Sequence, residues 1–255
     1  MNLNDKIVFI SGASSGIGKA CAKAFAMEGC KLVLCARRTE KLDQLVAEIF
    51  RVADVEIFTF QLDVRNKLSV EDAIKMLPEK WKKIDVLINN AGLARGLEPL
   101  QNGNTEDWEE MIDTNVKGLL YLSRQILPLM IANGSGYVIN IGSIAGRAAY
   151  PNGAVYCASK AAVKSISDGL RMDIVQYPIK VSNIEPGMVE TEFSLVRFHG
   201  DKEKADQVYK NFQALKPEDI AEIAVFMANR PSHVQICDML ITPTHQASAT
   251  VVHKS

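Results

Sequence analysis

Tyr156 and Lys160 stand four residues apart in the run Tyr156-Cys157-Ala158-Ser159-Lys160. On a helix that spacing puts both side chains on one face. An ammonium beside a phenol favours the phenolate and draws its pKa toward working pH, so the pair is a candidate general acid/base. Upstream, Asn140-Ile141-Gly142-Ser143 closes an apolar, β-branched run. It puts a hydroxyl at the carboxyl end of a strand, where open α/β sheets bind ligands. A hydroxyl that hydrogen-bonds a reacting oxygen, beside a phenol that exchanges its proton, suits the interconversion of an alcohol and a carbonyl.

A Tyr-x-x-x-Lys spacing alone recurs by chance on ordinary helices. Two further features give it weight. Gly12-Ala13-Ser14-Ser15-Gly16-Ile17-Gly18 follows the apolar run Ile7–Ile10 and precedes a helical pattern. Glycines there let the chain turn and approach a pyrophosphate, while the helix N-terminus offers N–H groups and a positive dipole end. The next apolar run, Leu32-Val33-Leu34, leads into Cys35-Ala36-Arg37-Arg38, with no acid before Glu40. A strand-end acid would accept from a ribose 2′-hydroxyl and repel a 2′-phosphate. Two guanidinium groups instead suit a phosphate, so NADP(H) is the expected cofactor.

The elements that must position these groups alternate along the chain. Strands are expected at Ile7–Ile10, Leu32–Leu34, Val55–Leu62, Val86–Ile88, Tyr137–Ile141, Val181–Ile184 and Gln235–Thr242. Helical patterns fall between them, including Val70–Leu77, Asp107–Ala132, Ala154–Gln176 and a Pro217-opened helix through Ala228. This order predicts an α/β fold: one Rossmann-type, doubly wound parallel sheet of about seven strands with helices on both faces. No repeat or linker divides the chain, so 1–255 is expected to form a single dinucleotide-binding and catalytic domain.

Composition narrows the class. The 255 residues are 47% hydrophobic and 23% charged, with a formal net charge of −1. That balance suits a globular core and gives no field to attract nucleic acid or acidic membrane. Five cysteines without a CxxC pair suit a reducing compartment, and four late histidines show no metal-ligand spacing. The N-terminal Met1–Lys6 lacks the layout of a signal peptide. A cytoplasmic protein without metal or membrane span is expected.

Together these motifs resemble the short-chain dehydrogenase/reductase family over essentially the whole chain, with Ser11 in place of the family's usual threonine before the glycine turn. The resemblance implies further roles. Asn89-Asn90-Ala91-Gly92 matches the NNAG segment bordering the adenosine, and Asp63-Val64 the segment touching the adenine. Asn115 corresponds to the asparagine that holds a water in the proton relay. Pro186, Gly187, Val189 and Thr191 fit the loop over the nicotinamide. The catalytic set is then Ser143, Tyr156, Lys160 and Asn115, and the resemblance also implies a homotetramer.

Runs such as Gly142–Arg147 and Glu190–Phe198 are similar to the branch of NADP-dependent 3-hydroxy acid dehydrogenases, also described as serine or allo-threonine dehydrogenases. That branch implies a substrate carboxylate. Arg147, four residues past Ser143, is the first candidate to hold it, with Arg197 the second and Arg95 the third. A broad carbonyl reductase for ketones, aldehydes or quinones is the alternative enzyme reading, and a non-catalytic NADP(H) sensor the alternative class.

Overall fold

The computed structural model describes residues 3–254; Met1, Asn2 and Ser255, parts of the expected 1–255 unit and of the N-terminal reading, lie outside the described residues. Seven strands form one sheet: β1 (Ile7–Ser11), β2 (Lys31–Ala36), β3 (Ile57–Gln61), β4 (Ile84–Asn89), β5 (Gly136–Ile141), β6 (Ile179–Pro186) and β7 (Asp238–Ile241). Their spatial order is β3-β2-β1-β4-β5-β6-β7, and every pairing is parallel. The order reverses between β1 and β4, which opens a crevice at their carboxyl ends.

Why β1 is apolar from Ile7 to Ile10 follows from its place in the sheet. Val8 and Ile10 face one hydrophobic layer, while Ile7 and Phe9 face the other. The first layer holds Phe25 of α1 (Gly16–Met27), Leu42 and Leu45 of α2 (Thr39–Ile49), and Ile220 and Met227 of α9 (Pro217–Ala228). The second holds Val70 and Ile74 of α3 (Lys67–Lys75) and Leu122, Ile126 and Met130 of α5 (Leu119–Ala132). Buried on both faces, the central strands read as continuous apolar runs instead of alternating ones.

Several element ends shift by a few residues, as where α3 starts at Lys67 instead of Val70 and β7 spans Asp238–Ile241 instead of Gln235–Thr242, and the larger differences from the sequence expectation fall in three places. The helix expected over Asp107–Ala132 is divided into α4 (Thr105–Ile112), a π-helical turn at Asp113–Gly118, and α5. The widened turn contains Asn115, a buried polar side chain that hydrogen-bonds to Leu93 and Ser159 instead of facing solvent. The helix α6 ends at Asp173 (Ala154–Asp173), short of the expected Gln176. Two helices absent from the expectation, α7 (Phe193–Arg197) and α8 (Lys202–Tyr209), lie between β6 and α9. Both are shorter than the window of about 11–18 residues over which helical periodicity is read. The stems of this segment are pinned by a parallel bridge of Val189 to Leu215, with Glu190 N–H donating to the Leu215 carbonyl at 2.8 Å. Among the described residues no helix is long and apolar enough to cross a membrane.

Candidate active site

A cleft of about 330 Å³ runs along the carboxyl ends of the strands. Gly12, Ser14, Ser15, Gly16 and Ile17 of the first turn line it, as do Arg37 and Arg38 at the end of β2. So do Asp63, Val64, Asn90, Ala91 and Gly92, and so do Pro186, Gly187, Val189 and Thr191 after β6. Ser143, Tyr156 and Lys160 complete the wall. Segments far apart in sequence thus meet at one place because parallel strands all end on the same side.

Gly18 does not line the cleft, and its reason is packing. A Cβ there would sit 2.4 Å from Asn90 Nδ2 and 2.5 Å from the Gly12 carbonyl oxygen. Asn90 in turn donates to the carbonyls of Ser11 and Gly12, at 2.9 and 3.1 Å, and so braces the turn. The helix α1 begins at Gly16 with no side chain capping its first turn. Its N-terminal N–H groups are therefore left for an anion, which fits a pyrophosphate.

At the reacting groups, Ser143 leaves β5 in extended backbone, and its Oγ accepts from Ala145 N–H at 3.1 Å, starting a 3-10 turn over Ile144–Gly146. Tyr156, in the first turn of α6, shares the cleft wall with Ser143. Burial pushes the phenol well above its ordinary range, with nearby Tyr150 adding to this and the Ser143 hydroxyl and the Arg197 charge opposing it. Lys160 shares the Tyr156 face of α6, but its ammonium donates to the Ile141 carbonyl at 2.8 Å. Burial pulls its pKa down to about 8. The expected lowering of the phenol by Lys160 is thus not expressed in this geometry; the cation is held by the end of β5 and faces Gly92 across the cleft.

Asn115, expected in the proton relay, does not line the cleft. Its Nδ2 donates to the Leu93 carbonyl at 2.8 Å and to Ser159 Oγ at 3.0 Å, and its Oδ1 accepts from Leu93 N–H at 2.8 Å. The carboxamide is a clamp between the NNAG loop and α6, and has no donor to spare for a relay water.

The arginines divide sharply. Arg147, the first expected carboxylate ligand, is turned away from the cleft: its Nε and Nη2 both reach Glu185 Oε2 at 2.5 Å, and Glu185 is fully buried on β6. The guanidinium is thus engaged by a buried carboxylate, away from the cleft lining where the expectation put it. Burial pushes Glu185 above the usual carboxylate range while Arg147 opposes the shift. Arg95 lines the cleft but is taken by Glu110 at 2.6 Å and by the Val196 carbonyl at 2.6 Å. Arg197, on α7, is the cation beside the Tyr156 phenol. Its guanidinium carbon lies 5.1 Å from the centre of the Tyr156 ring, Nη2 donates to Tyr150 Oη at 2.6 Å, and Nε is buried with no protein partner.

At the expected 2′-phosphate site, Arg38 donates to Ser15 Oγ at 2.9 Å and to Glu192 at 3.0 Å; Lys41 also binds Glu192. Arg37 reaches Glu110 at 3.3 Å. The sequence reading missed Lys41, Glu110 and Glu192. The last two lie 73 and 154 residues from the arginines they hold, beyond any local pattern. Glu192 alone had a signal, directly following Thr191.

A model of the family described as short chain dehydrogenase matches residues 6–202. The chain belongs to the short chain dehydrogenase family. Among its relatives in that family, the NADP-dependent 3-hydroxy acid dehydrogenase of Schizosaccharomyces pombe is 43% identical over 99% of this chain and 98% of its own. The NADP-dependent 3-hydroxy acid dehydrogenase YdfG of Salmonella typhi is 46% identical over 98% of this chain and 100% of its own. A solved structure, the closed form of serine dehydrogenase complexed with NADP+, superposes with a TM-score of 0.92 at 43% identity, covering 98% of this chain and 100% of that one. As a short chain dehydrogenase this chain is an oxidoreductase acting on hydroxyl groups.

Proposed function

We propose that this short chain dehydrogenase interconverts a small 3-hydroxy acid, of the serine, allo-threonine, 3-hydroxypropionate or 3-hydroxyisobutyrate type, with its 3-oxo acid. The cofactor is NADP(H), with Arg38, Arg37 and Lys41 around the 2′-phosphate and the first turn of α1 at the pyrophosphate. When bound, NADPH supplies the hydride to the carbonyl carbon, and in reverse NADP+ accepts it. Ser143 orients the carbonyl oxygen by hydrogen bonding. Tyr156 donates its proton to that oxygen as negative charge develops there, and takes it back in oxidation. Lys160, whose ammonium donates to the Ile141 carbonyl, supplies a positive charge on the cofactor side of the cleft.

The observation that carries the substrate class is Arg197. A half-buried guanidinium whose Nε is buried and unpartnered, lying over the Tyr156 ring, is a group that a carboxylate would satisfy. Arg197→Met should raise KM for 3-hydroxy acids by about ten- to a hundredfold, the scale of a lost charged hydrogen bond. Turnover of neutral alcohols or ketones should change little. The alternative, a broad reductase of ketones, aldehydes or quinones, draws on the apolar Leu93, Phe193 and Val196 in the cleft wall. An equal effect on acidic and neutral substrates would support that alternative.

Residues 1–255 are read as one cofactor-binding and catalytic domain that assembles as a homotetramer. A cytoplasmic setting agrees with five free cysteines, four of them buried.

A further inference from the structure

Arg147 and Glu185 stand outside the cofactor and substrate contacts, yet they join the two loops that matter most for the chemistry. The strand β5 stops at Ile141, and Gly142 N–H makes the last ladder bond to the Ile184 carbonyl at 2.7 Å. From there the chains separate. One goes through Ser143 into the 3-10 turn that ends at Arg147; the other continues as Glu185 and Pro186 into the Gly187 turn. Both Ser143 and Pro186 line the cleft, whereas Arg147 and Glu185 do not.

Across that fork, Arg147 places Nε and Nη2 on Glu185 Oε2 at 2.5 Å. The other oxygen, Oε1, accepts from Asn183 Nδ2 at 3.0 Å. Asn183 is itself fully buried beneath Gly142, where a Cβ would come within 2.4 Å of Asn183 Oδ1. The residue before the catalytic serine is therefore packed on the same asparagine that holds the carboxylate. Placing a carboxylate with no exposed surface in a strand costs several kcal/mol unless it is paired. A plain loop closure needs no such group, since an apolar pair would close the fork as well or better.

We propose that the Arg147–Glu185 bridge is a positioning pair: it sets where Ser143 stands relative to Tyr156 and to the Pro186-Gly187 turn, and so governs the chemical step. Neither residue lines the cleft. The inference rests on the role given to Ser143 above.

The test is a cycle of variants assayed as holoenzymes with NADPH. Arg147→Met should lower kcat by about tenfold to a hundredfold, the scale of an ångström-size misplacement of a reacting group. KM for NADPH should stay within about threefold, since the cofactor contacts lie elsewhere. The primary deuterium isotope effect on kcat, measured with NADPD, should rise as hydride transfer becomes limiting. Arg147→Lys, which keeps the charge, should recover part of the loss.

The deciding arm places Arg147→Met in a Ser143→Ala background, where it should cost less than about twofold, because a pair acting through Ser143 has nothing left to position. Arg147→Met alone leaves Glu185 buried without its cation and can fail to fold for that reason. Arg147→Met/Glu185→Gln removes the stranded charge and should show the same loss of kcat. Equal losses with and without Ser143, or normal kcat in the double variant, overturn the proposal. So does a KM increase confined to acidic substrates, which would return Arg147 to the role of ligand. If Ser143→Ala itself keeps natural turnover, the role of Ser143 fails first, and that outcome is visible before Arg147 is changed.

Discussion

The ammonium of Lys160 shows how a group proposed for the chemistry is held at a cost to the fold. It is buried, with the Ile141 carbonyl as its acceptor, and its pKa falls from 10.5 to about 8 because burial disfavours the charged form. Between those two values the unfolded chain binds more protons at this site than the folded one, so stability rises with pH there. Below about pH 8 the cost is fully present, on the order of 3 kcal/mol if the whole shift is expressed. Lys160→Met should therefore melt higher than the natural chain at pH 7, and the difference should shrink as pH rises from about 8 toward 10.5. Thermal melts of both proteins across that range check it; a gap that stays constant or widens contradicts the assignment. The residue types and spacing of Tyr156 and Lys160 were readable from the sequence. What the ammonium bonds to was not, because the Ile141 carbonyl belongs to a strand that only the tertiary fold brings near.

At the scale of elements, the segment that begins at Thr191 reaches back over the cleft to β2 and α2. Glu192 pairs with Arg38 and Lys41, the cations assigned to the 2′-phosphate. These side chains are roughly 40% exposed, and such pairs contribute at most about 1 kcal/mol. Glu192→Gln should free both cations for the phosphate and tighten NADPH by up to about fivefold, leaving NADH unchanged. Fluorescence titration of both cofactors is the measurement, and weaker NADPH binding would mean that the strap holds the cofactor in place instead of competing with it. The elements themselves were legible in proportion to their burial. β1, β2 and β5 announce themselves as apolar runs because both faces are covered, and α1, α6 and α9 carry clear starts or periodicity. The π-helical turn at Asp113–Gly118 and the short helices α7 and α8 left no periodic trace. The first depends on a side-chain bond from Asn115 to distant Leu93, and the others are shorter than the window of about 11–18 residues over which periodicity is read.

For the whole molecule, the cofactor site exists only in the folded chain, since the turn after β1, the end of β2 and the loop after β6 meet only through the sheet and the tertiary bonds of Arg38 to Ser15 and Glu192. NADPH should therefore bind the native state and not the unfolded one, adding about 2.7 kcal/mol at a hundred times its Kd. For a chain of this length that corresponds to a rise in Tm of roughly 5–10 °C. NADH at the same concentration should give a smaller rise. Arg37→Ala/Arg38→Ala should bring the NADPH shift down to the NADH value. Matching shifts for both cofactors in the natural chain would count against phosphate recognition by these arginines. The two-arginine signal was visible in the sequence because it sits at a fixed place after the second strand. The direction in which Arg147 points was not, because its partner Glu185 arrives on another strand 38 residues later.

The pinned stems at Val189 and Leu215 have a bearing on how such a protein diversifies. The chain between them carries α7, α8 and Arg197, and it leaves and rejoins the body at two points already fastened to each other. Lengthening or replacing a loop whose ends are fixed changes its closure entropy only slowly, by about 0.6 kcal/mol for each doubling. The sheet, the glycine turn and the Tyr156–Lys160 face need not alter when that insert does. It is an exchangeable cassette, through which one hydride-transfer chassis can be refitted to new acceptors by recombination or by the engineer.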